Sequence, residues 1–167
     1  MTKLKFSDNT LEELVALFQR RWKFNTENDY GYGYQTYSGL CQVTSNGKVE
    51  DGETEEKALQ REIFEELGEK VCKKVSNSKL IKIHENIETN GNKHIVWATI
   101  LHKDVLKDMQ LNVSIGGIEI IKKSDLPSIR EKKFSSQKTC VKNTDEIVLF
   151  ETPVSAVKKA FEIFEKQ

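Results

Sequence analysis

The chain has 167 residues, of which 37% are hydrophobic and 31% charged, a size and balance that suit one globular domain, spanning 1–167, with a core of its own. Lys plus Arg and Asp plus Glu each number 26, and this zero net charge weighs against a general nucleic-acid binder, which carries a basic excess. Three widely spaced cysteines (Cys41, Cys72 and Cys140) form no CxxC pair, which argues against a disulfide framework or a thiolate zinc site and fits reduced thiols. Residues 1–6 show no apolar signal region and no run approaches membrane-spanning length. The expectation is a cytoplasmic protein with no membrane partner.

Residues 2–6 alternate weakly and predict a first strand. Residues 11–22 admit two readings. Leu11, Leu14, Val15, Phe18 and Trp22 fall at helical spacing, yet the run at 14–18 also suits a buried strand. Residues 25–39 are rich in Asn, Asp, Gly and Tyr and predict a loop with a possible strand. A short strand is predicted over 40–43, before the turn at 44–47.

The clearest helix is predicted over 54–67. Thr54 is an N-cap residue, whose hydroxyl accepts from a first-turn N–H. Glu55 and Glu56 follow where the helix dipole favours negative charge. Leu59, Ile63 and Leu67 make one apolar stripe, and Gly68 suits the positive φ that stops a helix. Strands are predicted at 79–85, 93–102 and 117–122, with a turn at 90–92 and Trp97 in the core. A last helix is predicted over 153–165, opened by Pro153 and buried along Val154, Val157, Phe161 and Phe164. Strands interleaved with helices predict an α/β layered domain.

Chemistry is concentrated around the first helix. Glu62, Glu65 and Glu66 stand at i, i+3 and i+4 and therefore share a face. Three neighbouring carboxylates repel one another, and a hard divalent cation such as magnesium offsets that repulsion. A solvated acidic face paired with Lys and Arg is the alternative. Arg61 is within i, i+4 reach of Glu65.

Gly47, five residues, Glu53, seven residues and then Arg61-Glu62-Ile63-Phe64-Glu65-Glu66-Leu67-Gly68 resembles the Nudix box, G-x5-E-x7-REUxEExGU, where U is a bulky aliphatic residue. The last position departs from it: Glu69 stands where the box has an aliphatic residue, a place that concerns packing at the helix exit. The resemblance covers residues 47–69. It implies a Nudix-type α/β/α sandwich around a mixed central β-sheet. It further implies that Glu62, Glu65 and Glu66 bind magnesium, with manganese as a substitute, and that Gly47 offers its carbonyl to a metal. Glu53 and Arg61 would form an ion pair fixing the loop against the helix. A looser similarity links Phe18-Gln19-Arg20-Arg21 and residues 37–47 to the branch containing isopentenyl-diphosphate isomerase. That similarity favours a strand over 14–20 and offers Arg20 or Arg21 to a substrate phosphate, as evenly weighed against a solvated strand end.

The implied activity is hydrolysis of a phosphoanhydride bond in a nucleoside-diphosphate-linked or related small molecule. Water activated by metal attacks one phosphorus, and Glu65 or Glu66 takes its proton. Glu119, after Gly116-Gly117-Ile118, is a candidate further metal ligand, no better supported than an ordinary strand-surface glutamate. Glu85 and Glu88 are weaker candidates, and His84, His94 and His102 have no ligand spacing. Tyr30, Tyr32, Tyr34 and Tyr37 suit either packing of their loop or a stacking wall. Three rival readings stand beside hydrolysis: an isopentenyl-diphosphate isomerase, a non-catalytic nucleotide- or RNA-binding module, and an mRNA-decapping enzyme. Substrate identity is not legible, nor is oligomeric state, a homodimer being one option.

Overall fold

The apolar run at 14–18 is a strand, because it is buried on both faces. In the computed structural model, which describes residues 2–4, 13–21, 24–25, 33–34, 39–43, 45, 47–87, 93–112, 115–132, 146–150 and 153–166, Val15 to Phe18 are all buried. A strand covered on both sides reads as a continuous apolar run, with no alternation to betray it.

In chain order the strands β1 (Thr2–Leu4), β2 (Glu13–Arg21), β3 (Phe24–Asn25), β4 (Gly33–Tyr34) and β5 (Cys41–Val43) come first. Helices α1 (Glu55–Leu67) and α2 (Glu69–Ser76) follow. Next are β6 (Ile81–Ile87), β7 (Lys93–Ala98), β8 (Leu101–His102), α3 (Val105–Asp108) and β9 (Ile115–Lys122). A 3-10 turn (Lys123–Ser128), β10 (Arg130–Lys132), β11 (Val148–Phe150) and α4 (Val154–Phe164) complete the described chain.

The main sheet is mixed and runs β10-β11-β5-β2-β1-β8, with β9 on the other edge of β2. The long β2 organises it. Its first half pairs with β1 and its second half with β5, end to end along one edge, while β9 runs antiparallel along the other. Val15 and Leu17 face Ile63 and Leu67 of α1, Val71 and Val75 of α2, and Val105 of α3. Ala16 and Phe18 face Cys41, Ile121 and Leu149, with Val157 and Phe161 of α4. Helices therefore cover both faces of a mixed sheet, and the architecture is an α/β/α sandwich.

Helix α1 begins as expected: Thr54 Oγ1 accepts from Lys57 N at 3.3 Å. At its end Gly68 adopts φ of 90°, which a side chain rarely tolerates, and the chain passes directly into α2. That second helix was not anticipated, because Gly68 reads as a stop. Here the Gly68 carbonyl accepts from Cys72 N at 3.1 Å and starts the next helix. The strand expected over 93–102 divides into β7 and β8.

Strands β6 and β7 form a separate hairpin. Ile83 and Val96 bury one face of it against Ala156, Ala160 and Phe164 of α4. Trp97 departs from the core position expected of it. It is half-buried, opposite Lys82 in the hairpin register, with the Lys82 ammonium 5.1 Å from its ring centre. Val96 and Trp97 both line a cavity of about 170 Å³ between the hairpin and the helices. Among the described residues no helix is long and apolar enough to cross a membrane.

The two described thiols differ in environment. Cys41 is fully buried, and that burial pushes its thiol up to about 11, with the nearby Arg20 opposing and Glu119 adding to the shift. Folding thus favours the protonated thiol, and stability falls as pH rises from about 9 toward about 11. Cys72 is half-buried, with its Sγ 3.4 Å from the Gln60 carbonyl. A thiol reagent at pH 8 is expected to label Cys72 and spare Cys41 until denaturant is added, since the thiolate is the reactive form. Peptide mass mapping checks this, and labelling of both at equal rates contradicts the burial.

Candidate active site

The acidic face of α1 is assembled by the loop before it and the strand beneath it. Arg61 is the centre of the loop contacts. Its Nε and Nη2 donate to the two oxygens of Glu53, each at 3.1 Å, and Nη2 also donates to the Lys48 carbonyl at 2.8 Å. Glu53 in turn accepts from Glu50 N at 3.1 Å. This two-pronged pairing fixes orientation as well as distance and ties residues 47–53 to the helix. Arg61 Nη1 donates to Glu62 Oε1 at 2.6 Å and lies 3.8 Å from Glu65.

Those contacts hold the Glu53 carboxyl below its usual range, chiefly through the Arg61 hydrogen bonds, then through the Glu50 N–H. The same contacts push Arg61 upward, with Glu53 first and Glu62 second. A depressed carboxyl contributes above its unfolded value, near 4.5, and the contribution is lost as pH falls through the folded value. Hydrogen exchange at the Glu50 amide is therefore expected to quicken, beyond the intrinsic trend, as pH drops below about 4.5. Glu53→Gln should abolish that acid response. A wild-type response that persists unchanged in the variant would assign it elsewhere.

Gly47 needs its lack of a side chain because Glu62 occupies the space. A Cβ built at Gly47 falls 1.8 Å from both Glu62 Cδ and Oε1. Any other residue there displaces a carboxylate that Arg61 holds in place. At its far end α1 is gripped by the segment entering β9: Gln110 N donates to the Leu67 carbonyl at 2.9 Å and Asn112 N to that of Glu66 at 3.1 Å. These donors satisfy carbonyls that a helix end leaves without partners. At the other end Glu55 joins Lys82 and Lys93 of the hairpin at 3.0 and 2.8 Å.

Of the three glutamates Glu65 is exposed, with 53% of its side chain open to solvent, whereas Glu62 and Glu66 are half-buried. Glu66 Oε2 accepts from Gln19 Nε2 of β2 at 3.0 Å. Gln19 stands beside Arg20 in the sequence, where nothing local marks it as functional. The signal is instead its place two residues beyond Leu17, on the strand face that packs against α1.

Arg20 and Glu119 are brought to each other and not to this face. Glu119 lies opposite Phe18 in the β2–β9 register, on the side covered by α4. Arg20 Nε donates to it at 2.6 Å, and Arg20 Nη1 donates to the Gly39 carbonyl at 2.7 Å. Arg21 differs, its Nη1 donating to Gln42 Oε1 at 3.2 Å. Glu85 pairs with Lys82 and Lys93. Glu88, Tyr30, Tyr32, Tyr37, the turn at 90–92 and Cys140 lie outside the described residues, as does the Tyr34 side chain.

The donors suit a hard divalent cation in kind, being carboxylate and carbonyl oxygens, and in spacing, being one helix face beside a glycine cradle. Among the described residues no three carboxylate, imidazole or thiol groups already converge tightly enough to grip an ion. Glu62 and Glu66 rest instead on Arg61 and Gln19.

A family model of the NUDIX domain matches residues 8–119, more than half of the chain. This chain belongs to the Nudix family. No curated protein matched it. Among solved structures it is similar to a MutT/Nudix family protein from Listeria innocua, at 16% identity and a TM-score of 0.57, over 99% of this chain and 88% of that one. It is also similar to DR0079 from Deinococcus radiodurans, at 18% identity and a TM-score of 0.45, over 71% of this chain and 74% of that one. Nudix domains in general hydrolyse nucleoside-diphosphate-linked small molecules and typically use divalent metal ions. The Nudix fold accounts for the layers above: its helix is α1, and its sheet supports that helix through Val15 and Leu17.

Proposed function

We propose that this Nudix protein hydrolyses a phosphoanhydride bond in a nucleoside-diphosphate-linked or related small molecule, with magnesium held by Glu62, Glu65, Glu66 and the Gly47 carbonyl. The observation that carries the reading is the packing of Gly47 against Glu62, because it sets the loop backbone directly against a carboxylate of the acidic helix face. A divalent ion there supplies neutralisation of phosphate charge and acidification of water. The reaction adds water at one phosphorus, breaks the bridging P–O bond and releases the other phosphate as leaving group. Glu65, the most exposed of the three, takes the proton. Glu53 and Arg61 hold the loop in register with the helix, which serves positioning rather than bond-making.

The ligand set does not extend to Glu119, which Arg20 engages on the far face of the sheet. Arg21, beside Gln42, is the better candidate for a substrate phosphate, since a guanidinium matches phosphate oxygens in pairs. The test is phosphate and pyrophosphate release with magnesium from a panel of phosphoanhydrides. The panel holds nucleoside triphosphates, nucleotide sugars, ADP-ribose, NADH, dinucleoside polyphosphates, capped RNA, thiamine diphosphate and isopentenyl diphosphate. Turnover of one class, lost on adding a chelator, supports the reading. No turnover of any member despite measurable Mg2+ binding points instead to a binding module.

A further inference from the structure

We infer that Gln19 is a positioning residue for the metal site: its side-chain amide orients Glu66 toward a divalent cation. The inference rests on the proposed role of Glu66 as a ligand. Gln19 is 1% exposed, in a strand whose two preceding positions on the same face, Val15 and Leu17, are apolar and packed. An amide in that setting is costly unless it is bonded, and half of it is not. Nε2 donates to Glu66 Oε2 at 3.0 Å, across 47 residues of sequence. Oε1 is buried with no hydrogen-bond partner among the described residues. Packing alone favours Leu or Met here, so the amide answers to something other than the core.

Gln19 differs in kind from Arg61, the group that engages Glu62. Glu62 is bound by the guanidinium of Arg61 at 2.6 Å, and Glu65 lies 3.8 Å from it. To Glu66, Gln19 offers a neutral donor. Such a donor restricts the rotation of a carboxylate without cancelling its charge, so the attraction for a cation is retained while less freedom is lost on binding. Groups that orient ligands in this way alter metal affinity by roughly 10- to 100-fold when removed. A cation such as lysine at position 19 would fix Glu66 equally well and compete with the metal.

Mn2+ binding to the full chain, read by electron paramagnetic resonance, tests the assignment without any substrate. Gln19→Met keeps length and flexibility and removes both amide atoms, including the unbonded oxygen. It is expected to weaken Mn2+ binding about tenfold with Tm no lower than the wild type. Glu66→Gln should lose more. Wild-type Mn2+ affinity in Gln19→Met, with affinity lost in Glu66→Gln, overturns the role of Gln19 alone. Wild-type affinity in Glu66→Gln overturns the ligand reading and this one with it. A second measurement needs no variant. In a Mg2+ titration followed by NMR, the Gln19 side-chain NH2 signals should shift with the same midpoint as the Glu66 backbone amide. Signals that stay still while the Glu66 amide moves overturn the inference whether or not the variant folds.

Discussion

Glu66→Gln is expected to lower kcat by about a thousandfold on whichever phosphoanhydride the protein turns over, a loss of the size seen when one charge-stabilising group is removed from a reacting centre. The substitution keeps the shape of the side chain and removes its charge. The contact with Gln19 Nε2, 3.0 Å from Glu66 Oε2 in the wild type, survives through the remaining amide oxygen. The backbone is also held independently, since the Glu66 carbonyl accepts from Asn112 N at 3.1 Å. Tm should therefore stay close to the wild-type value. The measurement is steady-state turnover at saturating Mg2+ alongside thermal unfolding. Unchanged kcat would remove Glu66 from the site, and lost turnover accompanied by unfolding would deny it a chemical role.

Phe161→Ala is expected to destabilise the protein by about 3–5 kcal/mol, the range for deleting a buried aromatic ring. Phe161 is fully buried, against Phe18, Ile121 and Leu149 on the face of the sheet opposite the glutamates. Helix α4 itself should persist, since alanine is the better helix former. What is lost is the ring between helix and sheet. Domains of this kind have about 5–15 kcal/mol of stability in all, so the variant should sit near its unfolding threshold. Urea denaturation should show a lower midpoint with little change in slope. The protein that remains folded should retain kcat, because α1 lies on the other side of β2. A loss below about 1 kcal/mol would mean that the cluster does not carry the α4 interface.

The glutamate helix was legible because every feature of it is local. Thr54 caps it, Leu59, Ile63 and Leu67 set its buried stripe, and the separations of Glu62, Glu65 and Glu66 follow from 3.6 residues per turn. The Gly47-to-Gly68 spacing carried the family. β2 was less legible, since a run buried on both faces has no periodicity, and 11–22 also matched a helix. Helix α2 was hidden by Gly68, whose positive φ reads as a terminus but here makes a corner between two helices.

Sequence alone determined which carboxylates share a face, because helical geometry is a property of neighbouring residues. The resemblance to the Nudix box implied that Gly47, Glu53 and Arg61 belong with them, and in the fold Gly47 packs against Glu62 while Arg61 pairs with Glu53. Tertiary structure decided what lies on which side of the sheet. Strand side chains alternate, and the register of β2 against β9 places Glu119 beside Arg20, on the face away from α1. The same alternation sends Gln19 to the α1 side, 3.0 Å from Glu66. Residues 99 apart in one case and 47 in the other meet only through strand pairing and layer packing. No local propensity encodes such a meeting, because it depends on which face each partner buries.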